Sequence, residues 1–157
     1  MTGLVLRLAE AADLPAIREV TLEAYDIYEP LLGFMPLPVT TDYAPHVAAG
    51  GVWMGELASH PAPVAVLVTE CGDGHLLIYS LAVRPDWQGE GHARTMIEHA
   101  GAQARGMGLA ELRLFTNGLM ARNISLYRHC GFREVGRRTH PTQAESEVVD
   151  MVRGVGA

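Results

Sequence analysis

Eight consecutive residues, Leu76-Leu77-Ile78-Tyr79-Ser80-Leu81-Ala82-Val83, carry apolar side chains at both odd and even positions. A strand sends alternate side chains to opposite faces, so this run must be covered on both sides. Such a segment belongs in the middle of a sheet with helices packed on it, which confines the chain to mixed α/β architectures. The turn Arg84-Pro85-Asp86-Trp87-Gln88-Gly89-Glu90-Gly91 follows at once. Beyond it, Ala93, Met96, Ile97, Ala100 and Ala104 recur at helical spacing.

The rest of the chain supplies the covering elements. Residues 5–9 read as a strand, and Asp13 with Pro15 opens a helix whose expected apolar face is Leu14, Ile17, Val20, Leu22 and Ala24. From residue 29 to 50, Pro30, Pro36, Pro38 and Pro45 break up an apolar stretch that holds one short helix near 41–49. Strands are predicted at 52–57 and 64–70, separated by the breaks Ser59–Pro63 and Cys71–Gly74. A strand at 109–115, a helix at 121–129 stopped by Cys130-Gly131, and strands at 132–137 and 148–152 complete the order. The predicted fold is α/β (α+β), a mixed central sheet of about six to seven strands with about four helices. It is antiparallel early, and locally parallel and splayed between the strands at 76–83 and 109–115. Residues 1–157 are expected to form one domain.

Composition narrows the function classes. With 48% apolar and 19% charged residues, the chain is not intrinsically disordered. No apolar stretch is long enough to span a bilayer, and the first residues lack the order of a signal peptide. Cys71 and Cys130 are too few for a disulfide framework, and the seven histidines are scattered without ligand spacing, so no metal is expected. These features predict a reduced, cytoplasmic protein that does not engage a membrane. A net charge of -6 argues against a nucleic-acid partner. Its distribution is uneven: residues 1–83 carry two arginines against ten acids, and residues 84–157 carry ten arginines against eight. There is no lysine, which removes phosphate-loop lysines and Schiff-base chemistry.

Gln88-Gly89-Glu90-Gly91-His92-Ala93 stands between the buried strand and the best helix. Two glycines allow a tight turn, and a helix start directs unpaired N–H groups at one point, a geometry that holds phosphate without lysine. A dinucleotide fold would need a third glycine where Arg94 stands. The pattern Val83-x-Pro85-x-x-Gln88-Gly89-x-Gly91-x-Ala93 resembles the acyl-CoA pyrophosphate signature of the GNAT N-acetyltransferases. Asn117, then Asn123-Ile124-Ser125-Leu126-Tyr127-Arg128-x-x-Gly131-Phe132, is similar to that superfamily's second signature. Asn123 and Tyr127, four apart, leave one helix face.

The resemblance implies acetyl-CoA as co-substrate, no metal, and acetyl transfer to an amine of a small molecule or peptide by direct attack in a ternary complex. It implies that the amides of Gly89, Gly91, His92, Ala93 and Arg94, beside Gln88, cradle the pyrophosphate. It implies that Leu81 and Val83 pair with the pantetheine arm, that the Val83 amide holds the oxyanion, that Asn123 bonds the pantetheine, and that Tyr127 sits beside the sulfur. A tyrosine near pKa 10 is a poor full donor to a thiolate near 8.5, so hydrogen bonding to the developing charge is the expected role of Tyr127. Many superfamily members carry a glutamate where this chain has Tyr79, so Tyr79, Glu23, Asp42 and a water wire all stand as candidates for taking the amine proton. Acids beside aromatics at Tyr25, Tyr28, Asp42 and Tyr43, with no local cation, suit a cationic acceptor. A non-catalytic acyl-CoA-binding regulatory module, transfer to an alcohol, and use of a longer acyl chain stay open as alternatives, as does a homodimer through the late strands.

Overall fold

The computed structural model describes residues 3–156. The strands are β1 (Val5–Leu8), β2 (Val52–Glu56), β3 (Ala65–Cys71), β4 (His75–Val83), β5 (Glu111–Asn117), β6 (Arg133–Thr139) and β7 (Glu147–Gly154). They are hydrogen-bonded in the order β1-β2-β3-β4-β5-β7-β6, a seven-stranded mixed sheet of the predicted class. The helices are α1 (Leu14–Tyr25), the single turns α2 (Glu29–Leu32), α3 (Leu37–Thr40) and α4 (Ala44–Ala48), then α5 (His92–Gly106) and α6 (Ala121–His129). Two compact units emerge, one of residues up to Glu70 with Tyr79–Glu98, the other of Cys71–Ile78 with residues from His99 onward. Among the described residues, no helix is long and apolar enough to cross a membrane.

In the first unit, β1 runs antiparallel to β2 (Val5↔Glu56 to Leu8↔Trp53) and β2 antiparallel to β3 (Val52↔Val68 to Gly55↔Ala65). Val64 through Val68 are 0% exposed, the signature of a strand covered on both faces. The buried stripe of α1 is Ile17, Val20, Thr21, Ala24 and Tyr25. Leu22, expected on that stripe, is 44% exposed. The spacing 17, 20, 21, 24 fixes the buried face, and position 22 lies about 100° past position 21. Asp13 precedes α1 but makes no side-chain cap to it. Its carboxylate instead accepts the Glu10 N–H at 2.7 Å and both Arg7 terminal nitrogens at 2.9 Å. Arg7 also holds Glu56 on β2 at 3.0 Å, so one guanidinium fastens the start of α1 to β1 and β2. The proline-broken stretch holds α2, α3 and α4, each with proline in its first turn.

In the second unit, β4 pairs with β5 in parallel from His75↔Glu111 to Ile78↔Leu114, while both strands run on beyond those rungs. β5 pairs antiparallel with β7 from Glu111↔Gly154 to Asn117↔Val148, and β7 with β6 across an irregularity between Glu134 and Gly136. β6 is the exposed outer strand, and Arg133, Glu134, Arg137 and Arg138 guard it against edge pairing. Helix α6 ends where Gly131 takes φ +93°, and the Phe132 N–H returns to the Tyr127 carbonyl at 3.0 Å.

Candidate active site

Residues Val83–Ala93 form one continuous device within the first unit. The end of β4 is fastened from several directions. The Arg84 N–H donates to Val64 O at 2.8 Å, and its Nε donates to Pro63 O at 2.8 Å. The same guanidinium bonds Glu19 at 2.9 Å and pairs closely with Glu23. Glu23, one candidate for the base, is therefore engaged by a cation at the strand end. Gln88 Nε2 folds back onto Val83 O at 2.9 Å, and the Tyr25 hydroxyl donates to Leu81 O at 3.3 Å.

Past the 3₁₀ turn Pro85–Trp87, Gly89 and Gly91 take φ +80° and +85°, a region that L side chains avoid. A Cβ on Gly89 would meet nothing within 4 Å, so that glycine answers to backbone angle and not to space. Helix α5 opens at His92, and its first ladder bond is Thr95 N–H to Gly91 O at 3.1 Å. The amides of its opening turn have no acceptor within the helix. With the two left-handed glycines they put backbone donors on an exposed turn, chemistry able to hold a diphosphate. His92 is 3% exposed, and neither of its ring nitrogens has a hydrogen-bond partner. With its ring buried, the group it can offer at this exposed turn is its amide. Ala93 is half-buried, Arg94 exposed.

A second cluster in the same unit gathers the predicted acceptor residues. Tyr43 lies edge-on to Tyr79, ring centroids 6.3 Å apart, and Tyr25 packs 6.5 Å from Tyr28. Burial pushes the Tyr25 and Tyr43 hydroxyls above the usual phenol range, so both keep their protons at neutral pH. Tyr43 donates to Pro38 O at 2.5 Å. Asp42 is exposed, and its Oδ1 accepts the Ala44 N–H at 3.0 Å at the entry to α4. The Tyr79 hydroxyl lies 2.6 Å from Thr41 Oγ1, which in turn donates to Leu37 O at 2.9 Å. One residue that sequence reasoning passed over stands here: His46, whose ring is 5.3 Å from Tyr79 and whose Nε2 is 2.6 Å from Glu70 Oε2. Tyr43 and His46, three apart across one turn, gave a faint signal; Glu70, 24 residues on, gave none.

In the second unit, α6 carries Asn123 and Tyr127 at the spacing the motif requires. Tyr127 is 6% exposed and lies edge-on to Phe132 at 6.1 Å; Asn123 is half-buried, with Nδ2 3.8 Å from Met120 Sδ. Asn117 is fixed by the Leu119 N–H at 2.9 Å and by Ser146 Oγ at 2.5 Å. A cleft of about 430 Å³ also borders α6 at Ala121, Ser125, Arg128 and Arg137. Its two guanidiniums share Glu134, and Arg137 also lies 3.6 Å from Glu147, so two carboxylates balance the two charges. No group of side chains able to hold a metal ion occurs among the described residues.

Residues 48–134 match a family model described as an acetyltransferase (GNAT) domain. Among curated proteins, none matches the sequence significantly. The fold is similar to that of the ribosomal-protein-S18-alanine N-acetyltransferase of Escherichia coli, with TM-score 0.73 and 21% identity over 98% of this chain and 95% of that one. It is similar to PaiA N-acetyltransferase of Thermoplasma acidophilum, solved with coenzyme A, with TM-score 0.75 and 14% identity over 96% and 98%. A spermidine N-acetyltransferase chimera derived in part from Vibrio cholerae SpeG gives TM-score 0.75 and 20% identity over 98% and 96%.

Proposed function

The chain belongs to the GNAT acetyltransferase family, and on that premise we propose that it transfers an acetyl group from acetyl-CoA to a primary amine by direct attack in a ternary complex. The observation that carries the reading is the pair of left-handed glycines, Gly89 and Gly91, placed between a buried strand and the opening turn of α5. In this reading the whole of residues 1–157 acts as one catalytic domain, which the near-complete mutual coverage with single acetyltransferases supports.

The amides of Gly89, Gly91, His92, Ala93 and Arg94 hold the diphosphate, with Gln88 keeping the turn against Val83. Leu81 and Val83 receive the pantetheine arm along β4, and the Val83 amide stabilises the oxyanion as the nitrogen attacks. Asn123 hydrogen-bonds the pantetheine. Tyr127 donates a hydrogen bond to sulfur as negative charge develops there. The acceptor docks against the tyrosines of the α1–α4 region, Tyr25, Tyr28, Tyr43 and Tyr79, in the half of the chain that carries two arginines against ten acids. That balance favours a small cationic amine over an anionic amino acid. PaiA was solved with coenzyme A, and the SpeG-derived chimera is a spermidine N-acetyltransferase, which agrees with both halves of the reading.

Calorimetry with coenzyme A, followed by thiol release from acetyl-CoA across a panel of amines, tests it. Saturable heat and an amine-dependent thiol signal, strongest for cationic acceptors, are expected. Absence of binding at millimolar coenzyme A by well-folded protein would overturn the assignment.

A further inference from the structure

We propose that His46 is the general base that takes the proton from the acceptor ammonium, and that Glu70 holds its imidazole in the competent tautomer; this rests on the acetyltransferase reading above. A carboxylate only accepts hydrogen bonds, so the 2.6 Å contact between His46 Nε2 and Glu70 Oε2 puts the imidazole proton on Nε2. Nδ1 then carries the lone pair. It is buried, and no protein group donates to it.

The other groups raised as bases or as acceptor contacts make bonds of their own. Tyr25 donates to Leu81 O and Tyr43 to Pro38 O. The Thr41 proton goes to Leu37 O, so the short Tyr79–Thr41 bond must be donated by Tyr79. Glu23 is paired with Arg84, and Asp42 accepts the Ala44 N–H. His46 alone among these side chains combines a basic nitrogen with no donor on it and an orienting carboxylate.

Its surroundings suit the charge it acquires. The ring lies 5.3 Å from that of Tyr79 and 5.5 Å from that of Tyr43, so an imidazolium meets two aromatic rings as well as Glu70. Tyr79 shares its β4 face with Leu81 and Val83 by strand alternation, which sets His46 beside the strand that receives the acyl arm. The turn Ala11–Asp13 also touches α4, and the Asp13 carboxylate is engaged by Arg7.

The step balances as follows. One ammonium proton passes to Nδ1, and the freed lone pair forms the C–N bond to the acyl carbon. The C–S bond breaks with its electron pair leaving on sulfur, and a second proton of the nitrogen ends on the thiolate. His46 returns its proton to water, so one ammonium and one thioester give one amide, one thiol and one proton.

The test is the pH profile of kcat/KM. With His46 as base, the reactive pair is neutral imidazole and ammonium. The wild-type profile then reaches a plateau well below the pH at which the amine deprotonates itself, about 10. His46→Gln is expected to fall roughly 10²-fold at pH 7 and to lack the plateau, climbing tenfold per unit until the amine deprotonates itself. Glu70→Gln should lose less than His46→Gln and keep the plateau. Coenzyme A titration should be the same for all three proteins. A His46→Gln profile with the wild-type plateau and rate overturns the proposal. Nitrogen-resolved NMR of the wild-type imidazole gives a second reading that needs no variant: a proton on Nδ1 instead of Nε2 also overturns it. If the wild type binds coenzyme A yet no amine releases thiol, the acetyltransferase reading itself has failed, and the base falls with it.

Discussion

The hydroxyl of Tyr79 is a donor to Thr41, because Thr41 has already given its single proton to the carbonyl of Leu37. In the acetyltransferase reading, that donor role gives Tyr79 the task of positioning the acceptor and not of removing its proton. Tyr79→Phe should raise KM for the amine about 3- to 10-fold with little change in kcat, as expected when one neutral hydrogen bond is lost in ground and transition states alike. The plateau in the pH profile should survive. A loss confined to kcat would instead mean that the hydroxyl acts in the chemical step.

The donor turn after Val83 depends on backbone angle at Gly89 and Gly91. Gly89→Ala introduces no clash, since open space surrounds the added carbon, so its whole effect is conformational. A left-handed alanine costs roughly 1–2 kcal/mol. If the turn relaxes to avoid that cost, the amides turn away from the diphosphate. Coenzyme A affinity measured by calorimetry is expected to drop at least tenfold, while the melting temperature falls only a few degrees.

His92 separates side chain from main chain in the same turn. Two ring nitrogens buried without partners cost stability, about 1–3 kcal/mol for each unsatisfied polar group. Leucine has a similar volume and no polar atoms, and it keeps the amide. His92→Leu should therefore raise the melting temperature and leave coenzyme A affinity unchanged. Weaker binding in a stabilised variant would show that the imidazole itself meets the cofactor.

Tyr127 is buried on α6 with its ring against Phe132, a placement that fixes the ring without using its hydroxyl in that contact. Tyr127→Phe keeps the packing and removes only the donor. Turnover should fall roughly 10²-fold, with coenzyme A affinity nearly unchanged, as expected for a bond that strengthens only when charge develops on sulfur. Wild-type turnover in this variant would retire the assignment.

The succession of strands and helices along the chain and the two motif-bearing segments are legible because their signals are local, whereas the place of β7 between β5 and β6 is not. A run apolar on both faces, glycines before a helical stripe, and Gly131 after α6 each encode geometry within a few residues. What escaped was long-range or helical phase. Leu22 was expected inside and is exposed, because Thr21 and Tyr25 take its place on the stripe that includes Ile17 and Val20. Asp13 reads as a helix cap, yet Arg7 and the Glu10 amide claim its carboxylate. The His46–Glu70 contact joins a single turn in a proline-broken stretch to a strand 24 residues away. No periodicity encodes a contact of that kind.

The Arg7–Asp13 contact makes a prediction about acid stability. The paired guanidinium, aided by the Glu10 amide and opposed by burial, holds the Asp13 carboxyl below its ordinary pKa of about 3.9. A group whose folded pKa is depressed stabilises the fold fully above its unfolded pKa, and that stabilisation is lost as pH falls through the folded value. Both Asp13 oxygens meet Arg7 at 2.9 Å, but the arginine side chain is 38% exposed, so solvent screening limits the contribution to about 1 kcal/mol. Asp13→Asn should lower stability by that amount at pH 7 in denaturant unfolding. The gap from wild type should hold down to about pH 4 and close below it, as the wild-type carboxyl takes up its proton. High salt should shrink the difference at pH 7. A gap that persisted unchanged at pH 2 would locate the loss in packing or in the Glu10 amide bond, and not in the charge pair.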